Sequence, residues 1–192
     1  MTALRILTLD QSSRTGWAFG VERSTEPYLF GSFRMPKRDD PGERLVIFRD
    51  GLVDLIETHH PDLVAYETPF FPVGGQAQPN EKTGGARFNV KTIKFLHNLE
   101  GVLIETTARH NLPTEHFPSS SWRVTALGFG RLPAGSQEDF KKLMIKRAKA
   151  LGYAVADDNE ADAIGMLIHM LHGAPANARA QGDLLAMAAD KL

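Results

Sequence analysis

Cysteine is absent from the 192 residues, which excludes disulfide scaffolds, thiolate zinc centres and cysteine nucleophiles. An excess of one charge is also lacking. Lys and Arg number 22 against 23 Asp and Glu, a formal net charge of −1, so bulk positive charge is not how this chain meets any polyanion. No apolar run approaches the roughly 20 residues of a membrane span. The opening MTALRILTLD lacks the apolar core of a signal peptide, which makes a cytoplasmic location the default expectation. The histidines form no HExxH and no paired zinc spacing. His169 and His172 share a helical face without a partner motif, which reads as packing or surface. There is no internal repeat.

The remaining composition, 42% hydrophobic and 23% charged, is that of an ordinary globular chain, and the length suits one α/β domain with a sizeable core. Three strand-like runs come first, at 5–9, 16–21 and 28–33, joined by turn chemistry at Ser12-Ser13 and Glu26-Pro27, so an antiparallel meander is expected. Beyond the breakers at 35–42, Leu45, Phe48, Leu52, Leu55 and Ile56 recur at helical spacing and stop before His59-His60-Pro61. A short buried strand follows at 63–66. The stretch 69–87 holds two Gly-Gly pairs and three prolines with almost no apolar period, and reads as a long loop. Residues 88–110 return to helical spacing on two faces, Ile93, Leu96, Leu99 and Leu103 on one and Phe95, Val102 and Thr106 on the other. A helix apolar on two sides packs on the sheet and on something else. A strand at 114–117, a short helix at 119–127, a basic amphipathic helix at 138–151 and an apolar helix at 160–172 complete a domain over 1–173. The Ala-rich tail 174–192 reads as peripheral.

Three carboxylates stand out. Asp10 sits at the end of the first strand in LTLDQSSRTGWAFG, Glu67 at the end of the fourth in LVAYETPFF, and Asp162 inside the last helix in DDNEADAIGMLIHML. Taken singly they have plainer readings, a turn cap for Asp10 and a surface group for Glu67. Together, converging from distant parts of the chain, they would repel one another in a partly buried site unless divalent cations neutralised them. Hard oxygen ligands select Mg²⁺ or Mn²⁺, so the trio points to metal-assisted cleavage of a nucleic acid. Asp158, Asn159 and Asp162 fall within one helical turn and can face one side. Capping of the helix accounts for Asp157 or Asp158, but not for Asp162, which lies among the small residues Ala161, Ala163 and Gly165 that let the backbone approach the sheet. Lys141, Lys142, Lys146, Arg147 and Lys149 crowd one segment, either as a solvated helix face or as phosphate contacts beside the site.

These segments, with HNLEGVLIETTARHNLPTEHFPSSSWRVTALGFGR and KKLMIKRAKALGY between them, resemble the RuvC-like Holliday-junction resolvases of the RNase H-like nuclease superfamily over most of the chain. The resemblance implies an RNase H-like α/β fold, a mixed five-stranded sheet with an antiparallel meander and then parallel strands, flanked by helices. Asp10 matches the family's first-strand carboxylate, Glu67 its fourth-strand carboxylate and Asp162 the Asp of its A-D-A helix motif, each implied to ligate catalytic Mg²⁺ or Mn²⁺, two ions per active site. Two positions depart from the pattern. Ser12 stands where many relatives have glycine, and Asn159 where the family usually has Asp or His. The fourth ligand is therefore either Asn159, which keeps the family spacing, or Asp158 one residue earlier. Phe70 and Phe71 read as core packing or as aromatic groups that stack on unpaired bases at a junction. The resemblance, which includes an aromatic at this point, favours the second. Arg123 and Arg131 lie in a stretch that resembles the family's DNA-facing segment.

The expectation is a metal-dependent endonuclease that cuts four-way DNA junctions. Symmetric cutting of two strands suits a homodimer. Related resolvases pair through the helix that corresponds to 89–110, with Phe95, Val102 and Thr106 as the expected partner stripe and Ile93, Leu96 and Leu103 facing the sheet. Alternatives are an RNase H-like nuclease acting on structured RNA and a catalytically weak junction-binding protein. A sugar-kinase-like ATP site needs a second lobe that this length does not provide.

Overall fold

The computed structural model describes residues 3–36, 40–69, 90–130, 132 and 139–173. Phe70, Phe71 and Arg131, most of the Gly-rich stretch and the tail 174–192 lie outside the described residues.

Strands β1 (Arg5–Asp10), β2 (Arg14–Val21) and β3 (Leu29–Arg34) form the expected meander. Helix α1 (Pro41–His59) then leads to β4 (Leu63–Glu67), and α2 (Val90–Arg109) to β5 (Thr114–Phe117). Helices α3 (Ser119–Leu127), α4 (Phe140–Ala150) and α5 (Asp158–His172) follow. The sheet order is β3-β2-β1-β4-β5, with β4 parallel to both β1 and β5. The chain therefore has the mixed five-stranded sheet flanked by helices that its sequence suggests.

Element ends follow local chemistry. Pro41 and Gly42 belong to the first turn of α1 and not to a breaker, because Pro is tolerated where no intrahelical N–H bond is needed and the Asp40 side chain accepts from Gly42 N. Asp139 caps α4 by accepting from Lys142 N at 2.8 Å, and Asp157 caps α5 by accepting from Glu160 N at 3.0 Å. Asp157 is thus the cap, and the Asp158 carboxylate pairs with Lys141 instead.

Side chains alternate across a strand, and that alternation divides the core in two. Ile6, Leu63 and Ala65 face one side, where α3, α4 and α5 supply Trp122, Met144, Ala161, Ala163, Ile164 and others. Leu7, Leu9, Val64 and Tyr66 face the other, against Phe48, Leu52, Leu55 and Ile56 of α1 and Leu99 and Leu103 of α2. Continuing the same parity, Asp10 and Glu67 project on the α5 side, at the carboxyl ends of adjacent parallel strands.

Helix α2 departs from the expected division of faces. Thr106 is buried at 1% exposure, and Phe95 and Val102 pack against the chain's own second core, so these three do not form an outward stripe. The apolar side chains that α2 does expose are Val90 and Ile104. The helical phase is the physical reason: α2 packs chiefly on α1 and not squarely on the sheet, which turns the Phe95 side inward.

Candidate active site

Helix α5 lies unusually close to the sheet, and its first turn is locked in place. A Cβ at Gly16 of β2 would stand 2.1 Å from the carbonyl oxygen of Asn159, so only glycine admits the helix there. Gly16 is thus explained by the approach of the helix. The buried Thr8 hydroxyl donates to Ala163 O at 2.8 Å. Glu160 accepts from Ser32 Oγ at 2.9 Å and from Ala156 N at 2.8 Å, and Arg14 Nε pairs with Asp157 Oδ2 at 2.8 Å. Gly165, by contrast, serves helix packing, because a Cβ there would meet Met144 and Trp122.

The result is a cleft of about 330 Å³ at the carboxyl rim of β1 and β4. Asp10, Glu67 and Asp162 all line it, joined by both candidates for a fourth position, Asp158 and Asn159. Ser12, Arg123, Lys141 and Leu96 complete its wall. Alternation along β1 and β4 and the helical turn of α5 bring about the expected convergence.

The electrostatics are those of crowded acids. Burial, and then the neighbouring charges of Asp162, Glu67 and Asp158, push the Asp10 carboxyl well above the ordinary range. Burial raises Glu67 too, opposed by the hydrogen bond from Trp122 and the positive charge of Arg123. Asp162 is pushed up to about 7, chiefly by burial, with Glu67 and Asp158 adding to the shift and Arg123 and Lys141 opposing it. Its Oδ1 is buried without a hydrogen-bond partner among the described residues. Among those same residues no three acidic or histidine side chains close tightly enough to hold one ion as they stand. The donors nevertheless fit a divalent cation in kind: hard carboxylate oxygens, mutually repelling, one of them unsatisfied.

Several functional neighbours carry no signal in the sequence. Trp122, fully buried, donates its Nε1–H to Glu67 Oε2 at 2.9 Å, leaving the other carboxylate oxygen for the cleft. Gln11 Nε2 donates to the Glu67 carbonyl at 2.9 Å. Lys141 Nζ pairs with Asp158, and that hydrogen bond raises the lysine's own pKa. The Asn159 amide oxygen lies 3.5 Å from Ser12 Oγ. Arg123 faces the cleft as a counter-charge, its guanidinium carbon 4.9 Å from the Trp122 ring centre and 4.6 Å from that of Phe140. Lys142 and Lys146 stay on the exposed side of α4 and do not line the cleft. Arg147 Nε donates to Ala126 O at 3.1 Å, which ties α4 to α3. His169 is buried against Thr125 and Phe117, and His172 reaches Tyr28 at the surface, in keeping with structural roles.

The chain aligns with curated proteins along almost its whole length. It is 26% identical over 186 residues to a crossover junction endodeoxyribonuclease RuvC of Dehalococcoides mccartyi, covering 94% of this chain and all of that one. Against the RuvC of Granulibacter bethesdensis it is 28% identical over 189 residues, covering 95% and 94% of the two chains. The chain is thus similar in sequence to proteins named RuvC. Its fold agrees: the structure of Thermus thermophilus RuvC in complex with a Holliday junction substrate superposes with a TM-score of 0.65 at 14% identity, over 88% of this chain and 94% of that one. The yeast mitochondrial Holliday junction resolvase Ydc2 superposes with a TM-score of 0.55 at 11% identity, over 88% and 78%. No protein-family model matches the chain.

Proposed function

We propose that this protein is a metal-dependent endodeoxyribonuclease that resolves four-way DNA junctions by hydrolysing phosphodiester bonds. Convergence of Asp10, Glu67 and Asp162 on one cleft, in a chain aligned end to end with proteins named crossover junction endodeoxyribonuclease, carries this reading.

Asp10, Glu67 and Asp162, with Asn159 or Asp158, would hold two divalent cations, Mg²⁺ or Mn²⁺, which when bound supply positive charge to the reacting phosphate and acidify the attacking water. Asp10, raised by burial and by Asp162, Glu67 and Asp158, and Asp162, raised by burial and by Glu67 and Asp158, would ionise more readily once positive charge enters the cleft. Trp122 holds Glu67 in one orientation, and Arg123 and Lys141 keep residual positive charge beside the phosphate. In the reaction the water oxygen bonds to phosphorus in line with the departing 3′ oxygen. The water proton leaves to solvent or a cleft carboxylate, and the 3′ oxygen takes up a proton, leaving 5′-phosphate and 3′-hydroxyl ends.

Two strands of a junction are cut symmetrically by a two-fold dimer. Of the expected stripe Phe95, Val102 and Thr106, the buried Thr106 drops out, and the exposed Ile104 is offered for that pairing in its place.

Incubation of a mobile four-way junction with the protein and Mg²⁺ yields paired, mapped cuts, absent in EDTA and absent on structured RNA. Asp10→Asn, Glu67→Gln and Asp162→Asn each reduce the single-turnover rate by about 10³-fold or more while junction affinity in Ca²⁺ stays within about threefold, because the lost contact is made to the transition state. Retention of more than about a tenth of the rate by any of the three would undo the assignment.

A further inference from the structure

A second groove adjoins the carboxylate cleft. It has a volume of about 740 Å³ and lies between the end of β3, the start of α1 and the start of α2. Ser12 and Leu96 line both hollows, so the two are continuous across the sheet rim. Their charge is opposite in character. The cleft gathers acids, whereas the groove presents Arg34, Arg44 and Lys91 and, among the described residues that line it, no acidic side chain.

The arginines are placed for an anion. Arg34 is exposed at the last position of β3. Arg44 sits over the Phe95 ring, with its guanidinium carbon 3.9 Å from the ring centre, and its Nε is buried without a hydrogen-bond partner among the described residues. A guanidinium held over an aromatic ring presents a planar fork of terminal N–H donors that suits phosphate oxygens. Ser13 and Thr92 add hydroxyl groups along the same wall. The basic helix α4 is on the other face of the sheet, packed with α5, so it cannot serve this side.

We propose that this groove binds the sugar–phosphate backbone of the DNA strand that runs on from the scissile phosphate, with Arg34 and Arg44 contacting consecutive phosphates. The substrate strand then crosses the rim from Lys141 on the α4 side to the β3–α1–α2 side. This rests on the nuclease reading above. Contacts are to phosphate and not to bases, so the groove contributes affinity and strand register without sequence preference.

Junction binding is measured in Ca²⁺ across a range of salt concentrations for the wild type, Arg34→Gln, Arg34→Gln/Arg44→Gln and Arg23→Gln. Arg23 lies just past the opposite end of β2 and provides the same charge change outside the groove. The slope of log affinity against log salt falls by about 1 for the single groove variant and about 2 for the double, equally on junctions of different sequence, and is unchanged for Arg23→Gln. Slopes for the groove variants that match Arg23→Gln would overturn the proposal; Arg34→Gln alone, at an exposed position, decides it if the double variant folds poorly. The nuclease reading fails separately, when wild-type protein does not cut the junction in Mg²⁺, and the slopes on linear duplex then still decide whether the groove holds DNA backbone.

Discussion

The two faces of the sheet are built on different terms. On the α5 face the helix backbone touches the strands: Gly16 has no room for a methyl group, Ala161 and Ala163 are fully buried, and Thr8, Ser32 and Arg14 tie strand to helix. On the α1–α2 face larger side chains, Phe48, Leu52, Leu99 and Leu103, hold the helices on the core, and Val46 and Ile104 are left exposed. Small residues bring backbones close and fix an angle; large ones fill space and leave an outer surface free. The face that carries Asp162 is thus the rigid one, and the face that offers a groove and an apolar stripe is the open one.

Substituting Gly16 tests the rigid face most severely. Gly16→Ala drives a methyl group into the Asn159 carbonyl, and a stability loss of about 3 kcal/mol or more in denaturant unfolding is the expected result. A loss under about 1 kcal/mol would show that α5 is free to shift and that the two faces differ less than their packing suggests.

The rigid face also carries an electrostatic cost, smaller and dependent on pH. Asp162 has an ordinary value of 3.8 and is pushed up to about 7 in the fold. Between those values the folded chain binds a proton that the unfolded chain has released, so stability falls as pH rises through that window. In EDTA, Asp162→Asn therefore raises stability above pH 7 by about 1–3 kcal/mol and changes it little below about pH 4. Urea midpoints collected across that range check the sign, and equal midpoints at high pH would mean that the carboxyl is not penalised by its surroundings.

The smallest effect belongs to the open face. At Gly101 on α2 a methyl group would meet nothing within 4 Å among the described residues, so Gly101→Ala gains helix propensity, about 0.5–1 kcal/mol, without a clash. Opposite signs for Gly16→Ala and Gly101→Ala in the same unfolding measurement sharpen the comparison; a marked loss at Gly101 would place close packing on both faces.

Legibility in the sequence followed the range of the interaction. The strand at Thr114–Phe117 and the helix at Ser119–Leu127 are found where periodicity puts them, and other ends differ by a few residues where caps such as Asp40 and Asp139 decide them. Asp10, Glu67 and Asp162 were visible because a carboxylate at a strand end or inside an apolar helix is costly and so conspicuous. Trp122 and Gln11 were not, because an indole or amide that serves a residue 55 or 56 positions away leaves no local pattern, and nor was Glu160, whose partner Ser32 is 128 positions away.

Sequence alone determined the strand and helix order, the parity that sends Asp10 and Glu67 to one side, and the donor chemistry of the site, since these depend on periods of 2 and 3.6 residues and on side-chain type. Tertiary structure alone decided that Thr106 turns inward, that Trp122 orients Glu67, that Lys141 meets Asp158, and that Arg34 and Arg44 share a groove beside the carboxylate cleft. Those depend on the distance and phase between packed elements, which close contacts such as that of Gly16 with Asn159 set and no local pattern encodes.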